Sequence, residues 1–269
     1  MSLLKGITIG QYLPGDSFIH NLDPRIKILI TVILITTLFF INTFYGYLLL
    51  LILLYIMVRV SKISFSTIIK GLKPLWFLIG FTLIIHTFFT KGPENDTLLQ
   101  LGRFSIDRYG IRQGVFMASR LALLVMNTSL LTLTTSPIAL TDAIEGLLSP
   151  FKKAGVPAHE LAMMMTIALR FIPTLLEETD KIMKAQMARG ADFESGNIFQ
   201  RAKALVPLLV PLFVSAFRRA DELAMAMESR CYRGGTGRTR MKVLKTTIKD
   251  YLAFLGILAL LITVIVTGI

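Results

Sequence analysis

Five apolar runs of 14 to 20 residues constrain this chain more than any other feature. They cover residues 28–41, 47–60, 75–89, 114–133 and 251–269. A helix needs about 20 apolar residues to cross a hydrocarbon core of about 30 Å. The first two runs are short by that measure and need flanking residues to complete a crossing. With 54% hydrophobic and 17% charged residues over 269 positions, a soluble domain would have no interior large enough for this surface. The expected class is an all-α polytopic membrane protein with about five spans.

The formal net charge of +12 then reads as a membrane signal. Arg25 and Lys27 precede the first run, and Arg59, Lys62, Lys70 and Lys73 lie between the second and third. The segment "RCYRGGTGRTRMKVLKTTIK" precedes the last run. Lys and Arg collect in cytoplasmic loops, so the N-terminus is expected inside and the C-terminus outside. Nucleic-acid binding is excluded on pattern. Single-strand platforms interleave aromatic with basic residues, and the stretch 230–249 offers only Tyr232. One cysteine, Cys231, allows no intramolecular disulfide. The start "MSLLKGITIGQYLPGDSF" lacks the basic, apolar and small-residue succession of a signal peptide and reads as a cytoplasmic lead-in.

The chain thus divides into an N-terminal membrane domain of four spans (1–136), a cytoplasmic or interfacial region (137–246) and a C-terminal transmembrane helix (247–269). The middle region opens with "ALTDAIEGLLSPF". There Leu140, Ile144, Leu147, Leu148 and Phe151 share one helical face, with Asp142, Glu145 and Ser149 off it. Too short to span, it is expected along the membrane surface and to break at Pro150 and Gly155. Pro157 fits the first turn of a helix running to about Arg189, on the order of 50 Å long. Its first half, "ELAMMMTIALRFIPTLL", is apolar almost all round. Its second half is amphipathic, with Glu177–Lys181 and Asp180–Lys184 in the favoured acid-first spacing. A second long helix, from about Asn197 to Arg230, repeats the plan. An apolar half interrupted by Pro207 and Pro211 leads to a charged end, where Arg218 and Glu222 can pair.

The two charged ends align at an offset of 41 positions. Asp180 falls on Asp221, Ala185 on Ala226 and Arg189 on Arg230. Each arginine has small neighbours, Ala188 and Gly190 in one case, Ser229 and Cys231 in the other. Gly190 and Gly234-Gly235 read as stop signals. Two readings stand at this point. An arginine at a helix C-terminus is stabilised by the dipole and can reach lipid phosphates. Two copies with small flanks equally suit insertion into a partner, where a guanidinium binds carboxylates or carbonyls in a way lysine cannot copy. Two tips imply a partner with two equivalent grooves, as a dimer of like subunits offers.

The lead-in "YLPGDSFIHNLDPRIKIL" with its Asp23-Pro24-Arg25, the stretch "GVPAHELAMMMTIALRFIPTLLEE" and the Ala188-Arg189-Gly190 of "MARGAD" together resemble the transmembrane T component (EcfT) of energy-coupling factor transporters. These are an ATP-binding-cassette subclass importing vitamins and some metal ions in prokaryotes. The match covers most of the chain. The second tip, Ser229-Arg230-Cys231, keeps the arginine and small flanks but neither the Ala nor the Gly. The resemblance implies a non-catalytic subunit, multi-pass in a prokaryotic cell membrane, that couples two cytosolic ATPases to a separate membrane-embedded substrate-binding S component. ATP and Mg are then bound by the partners and no cofactor by this chain. It implies that the ATPases grip the tips at Arg189 and Arg230, on coupling helices that carry Glu177, Asp180, Asp221 and Glu222. Met163, Met164, Met165, Met183 and Met187, with Met225 and Met227, form a soft surface suited to S-component contact. Pro173, Pro207 and Pro211 are candidate hinges of a lever driven by ATPase closure. Ordinary membrane packing and static kinks are the plainer readings of the methionines and prolines.

The absences agree with a coupling role. No G-x-x-x-x-G-K-[ST] loop occurs, and "RGGTGRTR" reads as a linker touching anionic headgroups. His20, His86 and His159 share no metal-ligand spacing, and His86 reads as a satisfied polar group inside a span. Arg120 and Arg170, in or near apolar stretches, are expected to be paired or interfacial. The alternative is a stand-alone secondary transporter or channel, which would place its ionisable groups at mid-membrane and show repeats in the spans. A membrane-embedded enzyme ranks below that, since the first three runs lack a clustered His, Asp, Glu or Cys set.

Overall fold

The structure is a computed structural model and describes residues 12–41, 43–91, 97–101, 104–193, 197–235 and 244–266. The expected cytoplasmic lead-in therefore lies largely outside the described residues, as does most of the expected headgroup-binding linker. The chain divides into two units, one of Gly10–Ala143 with Val243–Ile269, the other of Met1–Ile9 with Ile144–Lys242.

In the first unit a single turn, α1 (Phe18–Asn21), leads to α2 (Pro24–Phe40). Asp23 caps α2 by accepting from the Arg25 N–H at 2.9 Å. Pro24 occupies the first turn, where its missing donor is harmless. After α3 (Phe44–Val60) comes a continuous helical run over residues 65–89, made of α4 (Phe65–Leu72), a 3₁₀ turn (Lys73–Leu75) and α5 (Trp76–Phe89). The expected start of this span at Leu75 is thus corrected. Pro74 sits inside a tight 3₁₀ turn that carries the run onward. A short antiparallel hairpin, β1 (Thr97–Leu101) with β2 (Phe104–Asp107), joins it to α6 (Arg108–Thr134). The mixed-charge connection gave no hint of strands. The unit is completed by the first half of α7 (Pro137–Leu148) and by α10 (Ile248–Val266).

Helices form over all five apolar runs. Only one stripe of each packed helix is buried. On α2 it is Ile26, Ile30, Leu34 and Leu38, and on α3 Tyr47, Leu50, Leu54 and Val58. On α6 it is Leu123, Met126, Leu130 and Leu133, with Leu261 and Val264 from α10. The remaining faces are equally apolar and exposed, for example Val32, Phe40, Leu51, Ile52 and Ile84, the pattern of helices solvated by lipid. Helix α6 comes so close to α5 at Gly110 that an added Cβ would lie 2.7 Å from the Thr90 carbonyl oxygen. His86 meets its expectation, with Nδ1 3.0 Å from the Thr90 hydroxyl.

Several buried polar side chains in the bundle are hydrogen-bonded. Asn127 donates to the Thr31 carbonyl at 3.2 Å, and Lys27 Nζ donates to the carbonyls of His20 and Thr134, each at 3.0 Å. A clasp joins the starts of α2 and α10. Asp250 accepts from the Thr247 N–H and hydroxyl, both at 2.6 Å, and from the Asp23 N–H at 2.8 Å. Arg25 reaches from Asp23 to the Leu244 carbonyl at 3.1 Å.

In the second unit the end of α7 runs into a 3₁₀ stretch (Ser149–Ala154) that contains Pro150. The expected break there is corrected, because the first turn of such a stretch accepts proline. Gly155, at φ 86°, ends it as anticipated. Two long helices follow, α8 (Ala158–Ala188) and α9 (Ile198–Ser229), matching the expected limits. Both run unbroken through Pro173, Pro207 and Pro211. By length and composition three helical stretches among the described residues can cross a membrane: Phe65–Phe89, Arg108–Thr134 and Ala158–Ala188. Helices α2 and α3, 17 residues each, are about 25 Å long.

Candidate functional site

Helices α8 and α9 lie against each other in opposite directions. Near the middle of α8, Glu178 accepts from Arg219 at 2.8 Å and from the Ser215 hydroxyl. Toward the start of α8, Met163 and Ile167 line a cavity of about 550 Å³ together with Leu223, Met227 and Arg230 from the end of α9. The chain beyond α9 also returns to the start of α8. A Cβ on Gly235 would lie 2.6 Å from a carbon of the His159 ring, and His159 Nδ1 is 3.0 Å from Glu145. The apolar half of each helix therefore runs beside the charged half of the other.

Antiparallel pairing separates the two arginine tips. Arg230 stands level with Met163, so Arg189 lies about 40 Å away along the pair at 1.5 Å per residue. The local geometry of the tips is the same. At the end of α8 the Gly190 N–H donates to the Met187 carbonyl at 3.0 Å and the Ala191 N–H to the Gln186 carbonyl at 3.0 Å. At the end of α9 the Cys231 N–H donates to Glu228 at 2.8 Å and the Tyr232 N–H to Met227 at 3.0 Å. Each partner sits 41 positions after its counterpart. Both ends are Schellman motifs, with the left-handed residue at Gly190 (φ 88°) and Cys231 (φ 56°). The stop signal expected at Gly234-Gly235 is thus corrected: the turn is made by Cys231, three residues earlier. Arg189 and Arg230 are both exposed, and their side chains make no hydrogen bond or ion pair among the described residues.

Of the anticipated ion pairs, Asp180–Lys184 forms at 2.7 Å. Glu177–Lys181 and Arg218–Glu222 do not close among the described residues. Glu177, Asp221 and Glu222 are exposed, and Asp180 is partly buried. The pair sequence reasoning missed is Glu178–Arg219, whose members also stand 41 positions apart, so the repeat itself was the available signal. The Ser215 hydroxyl and the Arg219 guanidinium hold the Glu178 carboxyl below its usual range against partial burial. Met164, Met165 and Met187 are exposed and Met163 half-buried, whereas Met183 is buried and packs inside the chain. Arg170 is exposed on α8.

A helical bundle with lipid-facing apolar surfaces, together with a long antiparallel pair ending in two matched tips, defines an all-α polytopic membrane protein. A family described as cobalt transport protein (CbiQ) matches residues 15–243. The energy-coupling factor transporter transmembrane protein EcfT of Clostridium kluyveri is 61% identical over 258 residues, covering 96% of this chain and 95% of the relative. The protein of the same name from Thermosediminibacter oceani is 60% identical, covering 95% and 96%, and that from Bacillus subtilis 48%, covering 96% and 97%. The chain belongs to this family and is the transmembrane component of an energy-coupling factor transporter.

Proposed function

We propose that this transmembrane component couples two cytosolic ATPases to a membrane-embedded S component in ATP-driven uptake of a micronutrient, a vitamin. Each ATPase receives one arginine tip, Ala188-Arg189-Gly190 or Ser229-Arg230-Cys231. ATP and Mg are bound and hydrolysed on those partners, and cargo selection resides in the S component. The chain sits in a prokaryotic cell membrane with its N-terminus in the cytoplasm.

One observation carries the reading: two exposed, unpaired arginines on matched helix ends at opposite extremities of one antiparallel pair. A dipole-stabilised or lipid-reaching arginine requires no such duplication. The pairing also argues against α8 as an ordinary span, although its length and composition would permit one. Held upright in a bilayer, it would carry Asp221 and Glu222 of α9 at its own apolar half. Laid along the cytoplasmic face, the pair is a bar about 40 Å long between two sockets. Closure of the sockets then has to tilt or bend it, with Pro173, Pro207 and Pro211 as bend points. Its exposed apolar surface, Met164 and Met165 on α8 with Val206, Val210 and Phe213 on α9, passes that motion to the S component.

Affinity purification from native membranes, followed by mass spectrometry of co-purifying chains, tests this. Two ATPase chains and one small apolar membrane protein are expected for each copy. Recovery of the chain alone, with transport by the purified chain in vesicles, would favour the stand-alone carrier instead.

A further inference from the structure

Among the described residues, no carboxylate neutralises two guanidiniums in the first half of α6, those of Arg112 and Arg120. Arg120 donates through Nε to the Tyr47 hydroxyl at 2.8 Å and through Nη2 to the Ile41 carbonyl at 3.4 Å, and its Nη1 lies 3.9 Å from the Met117 sulfur. Its guanidinium also lies 5.4 Å from the centre of the Phe39 ring. Two of its five N–H donors have no partner among the described residues. Arg112 lies 5.4 Å over the Phe116 ring, and that ring meets Tyr47 at 5.3 Å. The Arg112 side chain makes no hydrogen bond among the described residues, and neither arginine has a carboxylate partner there. Beside them opens a cavity of about 330 Å³ lined, among the described residues, by Tyr109, Arg112, Gln113, Phe116, Met117 and Arg120: two cations, an amide and a phenol, with no acid among them.

Ile41 and Tyr47 flank the turn between α2 and α3, so Arg120 stands level with that turn. The helices on either side of it are 17 residues long, about 25 Å against a hydrocarbon core of about 30 Å. Short helices draw headgroups inward, to the depth of the two arginines. Phe39, Phe40, Phe44 and Tyr45 are exposed around the same turn, as aromatic residues are at the membrane–water interface. An arginine fork matches a phosphodiester with two parallel hydrogen bonds. Free phosphate would satisfy the charge but leave these rings without apolar neighbours. We propose that Arg112 and Arg120 hold the phosphodiester headgroup of an anionic phospholipid whose acyl chains lie on the exposed rings of the α2–α3 turn. The site depends on the membrane class of the chain and not on the ATPase reading, so the two can fail independently.

The test is native mass spectrometry of the full chain with its co-purifying partners, after exchange into equal phosphatidylglycerol and phosphatidylcholine. The wild type is expected to retain one more phosphatidylglycerol than Arg112→Gln, with about a tenfold preference over phosphatidylcholine, the size of one charge-assisted hydrogen bond. Arg112→Lys keeps part of that preference. A Lys152→Gln/Lys153→Gln control, at exposed lysines elsewhere, keeps all of it. Millimolar inorganic phosphate leaves retention unchanged. Equal retention by wild type and Arg112→Gln, or equal retention of the two lipids, overturns the site. Displacement by inorganic phosphate also overturns it, by reassigning the cavity to a free anion. Arg112→Gln breaks no side-chain hydrogen bond among the described residues. Arg120→Gln, which also loses the Tyr47 contact, serves as a second variant once its helical circular dichroism matches the wild type.

Discussion

At the end of α8 the left-handed turn falls on Gly190, and at the end of α9 the same turn, with the same two hydrogen bonds, falls on Cys231. A side chain in that conformation costs about 1–2 kcal/mol, so the second tip holds a strain that the first does not. Their settings differ as well. Nothing among the described residues lies within 4 Å of where a Cβ on Gly190 would stand. Behind the second tip the chain turns again at Gly234 (φ 81°), brings Gly235 under the His159 ring and helps line the cavity at Met163 and Ile167. The repeated element is therefore a backbone turn that presents an arginine, and the Ala-Arg-Gly lettering is one way of making it. The first tip is open and relaxed; the second is strained and backed by its own chain.

The comparison breaks most visibly if the arginines are not equivalent. Arg189→Ala and Arg230→Ala are each expected to reduce ATPase co-purification and uptake by at least about tenfold, as buried interface arginines do. A variant retaining full assembly and transport would remove its tip from the coupling role. Next in size is the bridge that ties the two helices at equivalent positions. Glu178→Ala should lower stability in detergent by about 1.5 kcal/mol, a charge-assisted pair discounted for partial exposure, read as a drop in melting temperature. No change would mean the pair is held elsewhere. Gly190→Ala adds a methyl group into open space, so its cost is backbone strain alone, about 1 kcal/mol. Helical melting of the variant checks this, and a neutral result would show that the tip relaxes out of the left-handed turn. Smallest and opposite in sign is Cys231→Gly. Relief of strain is partly offset by the freedom glycine adds to the unfolded chain, leaving a gain of about 0.5 kcal/mol. Destabilisation instead would show that the Cys231 side chain contributes contacts of its own.

Much of this was legible in the residues because it is local. The five apolar runs, the start of α8 beyond Pro157 and the C-terminal limits of α8 and α9 follow from run length, proline placement and small residues after a helix. The β1–β2 hairpin was not legible, since its two short strands sit in a mixed-charge connection without alternation. Nor was the passage of the third span through Pro74, where a 3₁₀ turn replaces the break proline usually imposes. At the candidate site the arginines and the 41-position repeat were visible. The partner of Glu178 was not, because on its own helix Glu178 is only one carboxylate among several near the charged end.

Local chemistry in the sequence was sufficient to make this a membrane protein of long helices with two duplicated arginine tips. Apolar run length, helical spacing and capping act within a few residues of themselves. Only the tertiary structure decided that α8 and α9 run antiparallel, which sets the tips about 40 Å apart and lets Glu178 meet Arg219. It likewise decided that Asp23 and Asp250, 227 positions apart, join the first long helix to the last. Such contacts depend on how apolar faces without a strong polar side settle against one another, and no periodicity along a uniformly apolar helix announces which face that will be.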